Sequence, residues 1–424
     1  MTCSRFDKIA DTMKLNKYVR RIACCLTVVT LLGSAAHAQM VERLCRTDYE
    51  IDPERQGELL VELDNISFFK DNEFAGSVIN GYSLPGLWLQ PKGVFYPLKN
   101  IKLELGVHAL IYSGAYKFPN YAYHDIAIWK GNQYQRGTHI LPYFRAQLAL
   151  SRVNLVLGNL YGGENHRLIE PLYNPELNLT ADPETGFQVL CDLKRWHFDA
   201  WINWQSFIFE ADTHQEAFTV GLSSLVKFNR PESRFHYYLP VQMTIQHRGG
   251  EQIVDNDRPV QTLANGSVGA GIVWNVNRKV LKRINVEADM LGYYQESGKL
   301  WPFDKGVGLY TKASFDLGNN IRVKGGYFVC KDFISLFGIP YFGAVSMKTE
   351  GAVYDDPQTC FLSVEYSRTF GKHYSFGAKG DLYYSMPGTM KLASGELVPE
   401  GSMTNFSFGV YLRVNPAFLI KKFK

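Results

Sequence analysis

The chain has 424 residues, 46% hydrophobic and 14% aromatic, with 25 Tyr, 27 Phe and 37 Gly, and its 45 Lys or Arg stand against 41 Asp or Glu. The formal surplus of +4 lies within residues 1 to 38, which hold six basic and two acidic side chains, so the remainder is near neutral and offers no basic surface for nucleic acid. After Gln39 there is no apolar run of the ~18 residues that a spanning helix needs, and no convincing amphipathic helix, which excludes helical membrane spans.

The N-terminus reads as an export signal. From Met13, the basic residues Lys14, Lys17, Arg20 and Arg21 precede an apolar run from Ile22 to Leu32, and Ala36-His37-Ala38 supplies a small-x-small cleavage site. Residues 1–38 are therefore expected to be removed as the chain crosses the inner membrane. Cys24 and Cys25 open the apolar run instead of closing it, which argues against a lipoprotein. Residues 39–57 are polar, carry no strand pattern and are predicted to form a short periplasmic tail. Residues 58–424 are predicted to form one β domain. Cys45, Cys191, Cys330 and Cys360 remain in an oxidising compartment at spacings that match no metal site, and Cys330 and Cys360 flank one predicted loop and could pair.

In chain order, strands are predicted at Glu58–Phe69, Gly76–Gln90, Asn100–Tyr112, Thr138–Leu150, Arg152–Tyr161, Gly186–Leu193, Trp196–Phe209 and Ala217–Phe228. They continue at Arg234–His247, Ala264–Val276, Arg283–Tyr294, Gly306–Leu317, Ile321–Val329, Thr359–Phe370, His373–Met386 and Ser402–Val414. After the first hairpin, short turns alternate with long loops predicted to be polar: Ser113–Gly137, Gly162–Thr185, Arg248–Leu263, Cys330–Gln358 and Pro387–Gly401. Prolines within Tyr82–Gln90 and at Pro240 require bulged, edge or terminal positions.

Trp196–Phe209 shows the character of these strands. Trp196, Phe198, Ala200, Ile202, Trp204 and Ile208 share an apolar face, while His197, Asp199, Asn203 and Gln205 share a polar one. Trp201 breaks the polar set, as a residue packing on a folded-in loop would. Alternation also fits a soluble sandwich, so strand length, loop asymmetry and the export signal decide. They predict an all-β fold, a transmembrane antiparallel up-and-down β-barrel of about 16 strands (14–18) in the outer membrane.

With the polar faces inward, the lumen is predicted to be lined by Lys102, Glu104, Arg145, Asp199, Lys227, Arg283, Glu287, Asp289, Lys312, Arg322, Lys324, Glu365, Lys379 and Asp381, with Asp316 among them. About sixteen strands are enough to leave an aqueous channel, so passive or weakly selective diffusion of small hydrophilic solutes is expected, with outer-membrane lipid around the barrel. Many of these charges also suit wall pairs that hold register. The loop Gly162–Thr185 is a candidate constriction, with Glu164, His166, Arg167 and Glu170 at its narrowest point; an external surface loop is its other reading. No G-x-S-x-G, H-E-x-x-H or paired metal ligands occur, so no cofactor, no metal and no enzyme activity are expected, although His236, His247 and Asp255 supply triad-type side chains. A non-conducting binding, secretion-associated or structural scaffold is the alternative.

The V-L-G-N-L-Y strand with its N-H-R-L-I-E-P-L-Y loop, the D-A-W-I-N-W-Q-S-F strand and the export signal resemble the porin-like outer-membrane β-barrels of Gram-negative bacteria, a broad family that includes the phosphate-selective porins. The resemblance covers the mature chain and implies a barrel of sixteen to eighteen strands and a homotrimer. Two features depart from it: the C-terminus F-L-I-K-K-F-K has its aromatic at Phe423, one short of the end, and no dense Lys or Arg ladder is present.

Overall fold

A computed structural model describes residues 44–113, 137–206, 215–250, 260–299 and 301–423. The predicted signal peptide, Asp255, and much of the loops after Tyr112 and Arg248 lie outside the described residues. The strands are β1 (Glu58–Glu73), β2 (Tyr82–Leu98), β3 (Ile101–Tyr112), β4 (Gly137–Leu150), β5 (Val153–Asn159), β6 (Thr185–Asp192), β7 (Trp196–Ser206), β8 (Ala217–Lys227), β9 (Phe235–Arg248) and β10 (Gln261–Asn275). After them come β11 (Leu281–Ser297), β12 (Lys305–Leu317), β13 (Ile321–Lys331), β14 (Val353–Asp355), β15 (Gln358–Phe370), β16 (Tyr374–Ser385), β17 (Gly388–Lys391), β18 (Leu397–Glu400), β19 (Met403–Val414) and β20 (Ala417–Lys422).

These form a closed antiparallel 16-strand barrel, as predicted. Each barrel strand pairs with the barrel strand before it, β15 with β13 and β19 with β16, and β19 returns to β1 through Asn65↔Val414 to Glu73↔Phe406. β20 continues the same closing seam along Glu58–Glu62 after an interruption at Asn415–Pro416, where Leu63 N–H donates to Pro416 O at 3.0 Å. β14, β17 and β18 form a separate small sheet in the long outer loops. Short turns lie at the opposite end; Asn319 and Asn320 take left-handed φ values of 61° and 63°, which asparagine tolerates in tight hairpins.

The second strand is displaced from Gly76–Gln90 to Tyr82–Leu98, and its prolines explain the misreading. Pro85 sits just before the first rung to β3, Gly86↔Tyr112, a terminal position of the kind its ring requires, and Pro91 falls where that ladder breaks between Leu89↔Ala109 and Lys92↔Gly106. Pro240 has the same relation to β10, whose pairing with β9 lapses between Val241 and Tyr238.

The outward face meets lipid, with Leu105, Ile140, Leu157, Val268 and Met290 exposed on it. The inward face is buried because the chain fills its own barrel. Residues 44–51, predicted as a periplasmic tail, instead run inside: Arg413 donates to Leu44 O at 2.7 Å, Thr47 N–H to Asn165 Oδ1 at 2.9 Å, and Gln147 Nε2 to Tyr49 O at 2.6 Å. The Cys330–Gln358 connection, predicted to be polar, sends Phe333, Ile334, Leu336, Phe337, Tyr341 and Phe342 inward. They pack against Ile169 and Leu172 of the loop after β5 and against Tyr310, Phe328 and Phe361 of the wall. Burying apolar surface there replaces the water that an open channel of this width would hold. Cys330 and Cys360 are both free thiols. Cys330 lies on the inward face with Phe328, and Cys360 is one residue out of phase with the inward Thr359 and Phe361, so the wall separates them.

Candidate functional site

β5 and β6 are short. β4 pairs with β5 only from Arg145 to Leu150, so Gly137–Phe144 pairs only with β3 among the described residues. On the other side, β6 pairs with β7 no further out than Asn203. The outer end of the wall between β4 and β7 therefore has a notch, with Gly137–Phe144 of β4 lacking a β5 partner on one side and Trp204–Ser206 of β7 beyond the last β6 rung on the other. Pro142, a residue tolerated on strand edges, lies in this stretch.

From the notch, residues 160–184 turn into the lumen. His166 is buried between two carboxylates, with Nδ1 2.7 Å from Asp199 Oδ2 and Nε2 3.0 Å from Glu184 Oε2, and its ring stacks on Trp201 at 3.5 Å and 11°. Burial alone would lower the imidazole's pKa, but the Glu184 and Asp199 carboxylates outweigh it and push the value up to about 10. Trp201 is held from behind by Gly221 of β8, where a Cβ would overlap the indole. Glu176 ties the loop to Lys70 at 2.5 Å and to the Tyr82 hydroxyl. Glu170 accepts from Lys324 and from Tyr310 Oη, the latter at 2.8 Å. Burial would raise the Glu170 pKa, but the Lys324 and Lys312 ammoniums bring it far below the usual carboxylate range.

Every charged side chain predicted for the lumen takes the inward register, and most meet a partner there. Glu104 forms an ion pair with Lys102 at 2.6 Å and accepts from Arg145 Nη1 at 3.0 Å. Lys312 pairs with Glu287 at 2.8 Å, and the Tyr238 hydroxyl donates to the same carboxylate, with Asp289 on the next inward position of β11. Asp316 joins Arg283, at 2.7 Å, to Arg322. Lys379 lies 3.0 Å from Asp381 and 3.9 Å from Glu365. Lys227 takes the inward register at the turn end of β8, opposite Tyr238 of β9. In the loop, Arg167 reaches Asp192 at 2.6 Å, and Glu164 N–H is capped by Asn178 Oδ1 at 2.9 Å.

His236 faces inward and His247 outward on β9, so these two histidines do not converge. The sequence reading missed a different pair: His139, on the notch edge of β4, has Nδ1 3.1 Å from Asp182 Oδ1 of the inward loop. Close by, a cavity of about 120 Å³ is lined by Lys92, His108, Tyr143, Trp88, Asp182 and Glu184 among others. The available signal was Asp182 in a proline-bounded loop facing a strand that begins T-H-I-L-P.

A family model described as lipid A 3'-O-deacylase-type matches residues 51–423. This corrects the expectation that the protein is not an enzyme, since the family is named for one. No curated protein matches the sequence. Among solved structures, the chain is similar to OccAB3 of Acinetobacter baumannii (9% identity, TM-score 0.46, covering 85% of this chain and 99% of that one). It is also similar to the outer membrane protein OprD of Pseudomonas aeruginosa (10% identity, TM-score 0.38, 88% and 98% covered). A third is OmpT of Vibrio cholerae in its trimer form (9% identity, TM-score 0.43, 85% and 100% covered). These are likenesses between outer-membrane barrels.

Proposed function

The chain belongs to the lipid A 3'-O-deacylase-type family, and we propose that it hydrolyses an ester-linked acyl chain of a lipid A-type glycolipid in the outer leaflet of the outer membrane. The observation that carries this reading is the family match across residues 51–423, essentially the whole barrel. The geometry is compatible with it in two ways. A barrel packed with its own loops suits work at its wall better than bulk diffusion through its centre, and the notch beside β4 opens toward the leaflet that holds such a lipid. At that notch the Asp182 carboxylate orients the His139 imidazole, the arrangement in which histidine takes a proton from water as the water attacks an ester carbonyl. The imidazolium then returns the proton to the departing alkoxide.

The test is mass spectrometry of lipid A from cells making the protein or its His139→Gln variant. Loss of one ester-linked acyl chain, abolished by His139→Gln, is the expected result; lipid A of unchanged mass with well-folded protein in the membrane refutes the reading.

A second reading, diffusion of small hydrophilic solutes, is favoured by the inward charges from Lys102 to Asp381. It requires stepwise ion current from the purified barrel in a planar bilayer.

A further inference from the structure

Inward positions on β3 run Lys102, Glu104, Gly106, His108. The glycine leaves a gap in this row, and the side chain that occupies it comes from β2: a Cβ at Gly106 would lie 2.7 Å from Lys92 Cβ and would overlap Pro91 O. Lys92 and His108 both line the cavity and are both almost fully buried.

Each brings an unsatisfied donor. Three cations, Lys92, Lys102 and Arg145, stand against two carboxylates, Glu62 and Glu104, and Glu104 is already taken by Lys102 at 2.6 Å and Arg145 at 3.0 Å. Two more Arg145 donors go to Asn159 O and Leu160 O. Lys92 Nζ is left 3.7 Å from Glu62 and 3.6 Å from Glu104, beyond hydrogen-bond length. At His108, Nδ1 accepts from Gln90 Nε2 at 2.8 Å, so the ring proton sits on Nε2, which is buried without a partner. The acidic groups around the cavity are engaged elsewhere: Asp64 by Arg413 at 2.7 Å, Asp182 by His139 at 3.1 Å, and Glu184 by His166 at 3.0 Å.

Buried donors without acceptors are costly, and a buried ammonium most of all. The cavity, about 120 Å³, is far larger than the ~10–15 Å³ that a single water requires. Its unmet needs are one negative charge and acceptor oxygens at Lys92 and His108, and its remaining wall includes carbon surface from Trp88, Tyr143 and Leu177. We infer that the lumen holds a binding site for a small organic carboxylate, seated on Lys92 and His108 with its carbon skeleton against those aromatic and aliphatic side chains. The excess of one cation over the carboxylates of this cluster suits a monoanion, and the apolar wall suits carbon better than a bare oxyanion. The site rests on neither reading of the barrel's activity.

The test is ligand-observed NMR on the folded wild-type barrel in micelles, with benzoate as the probe and benzamide as its uncharged counterpart. Saturable benzoate binding at least about tenfold tighter than benzamide is expected, with a similar loss in Lys92→Met and in His108→Leu. Absence of benzoate binding, equal binding of benzamide, or full binding by a folded Lys92→Met protein overturns the proposal. Inorganic phosphate displacing benzoate at equal concentration overturns the carboxylate assignment. Should either variant fail to fold, the comparison of benzoate with benzamide on wild type still decides.

Discussion

His166 lies flat on Trp201, ring centroids 3.5 Å apart, and its two nitrogens reach carboxylates on opposite sides, Asp199 of the wall and Glu184 of its own loop. The contact pins a loop to a strand through charge as well as stacking, so it titrates. The folded imidazole is raised to about 10 against an ordinary value of 6.5. Its stabilising contribution is therefore fully present below about pH 6.5 and lost as pH rises through 10. Trypsin cleavage at Arg167 in the folded barrel should stay slow from pH 6 to 7 and accelerate toward pH 10. In His166→Gln it should be faster throughout and lose that pH dependence; a flat wild-type profile rejects the charged clasp.

The two faces of β7 should respond differently from what an open lumen would predict. Ala200 faces lipid, and Ala200→Arg should cost about 2–4 kcal/mol if it lies near mid-membrane. From the sequence, Asn203→Arg would be tolerated, because Asn203 would face water. In the structure Asn203 is buried and accepts from Thr185 N–H at 3.0 Å, so the variant forces a guanidinium into a packed interior and breaks the start of β6. Urea unfolding in lipid vesicles should show both variants destabilised, and a neutral Asn203→Arg would indicate a hydrated lumen.

The strand pattern was legible because lipid on one side and polar partners on the other enforce a period of two, and lengths such as Gly306–Leu317 against the observed Lys305–Leu317 follow from it. What filled the barrel was misread. Phe333, Ile334, Leu336 and Phe337 sit in a long connection, and length alone suggested a surface loop, although so many apolar side chains could not remain in water. Leu168, Ile169 and Leu172 carried the same signal in the loop after β5. The tail from Leu44 to Tyr49 was hidden for the opposite reason: it is held largely by backbone groups, such as Leu44 O and Tyr49 O, which no side-chain pattern reports. The notch was invisible because it arises from where β5 stops, and strand ends are poorly marked in sequence.

Glu104 is the shared anion of Lys102 and Arg145, and its removal should cost far more than removal of a rim carboxylate. Glu104→Gln leaves Arg145 and Lys102 buried without their charge partner and should cost about 3–5 kcal/mol. Glu58, paired with the half-exposed Lys422 at 3.2 Å, should lose no more than about 1 kcal/mol on Glu58→Gln. Denaturant midpoints measured side by side check the ratio, and equal losses would contradict the burial of the Glu104 cluster.

Cys330 and Cys360 occupy opposite faces of the wall, so oxidation of the intact barrel should not join them. Mass spectrometry after unfolding in iodoacetamide without reductant should find Cys45, Cys191, Cys330 and Cys360 all alkylated. A Cys330–Cys360 peptide would place both thiols on one face and reverse the assigned register of β13 with β15.

The loop from Leu168 to Asp182 and the segment around Phe333–Val345 pack together inside the barrel, and they meet through Asn174 N–H to Phe337 O at 2.7 Å and Ile339 N–H to Glu170 O at 3.0 Å. Each therefore supports the other, and removing one exposes the apolar side of its partner to water. Deleting Leu168–Asp182 should raise single-channel conductance in planar bilayers from a low wild-type level and increase binding of a hydrophobic dye to the extracellular side. Glu170→Gln, which removes one charge while keeping the backbone acceptor for Ile339, should leave the segment in place and raise conductance far less. If the deletion and the wild type conduct alike, the barrel is not closed by this loop, and the diffusion reading loses the gate it would need.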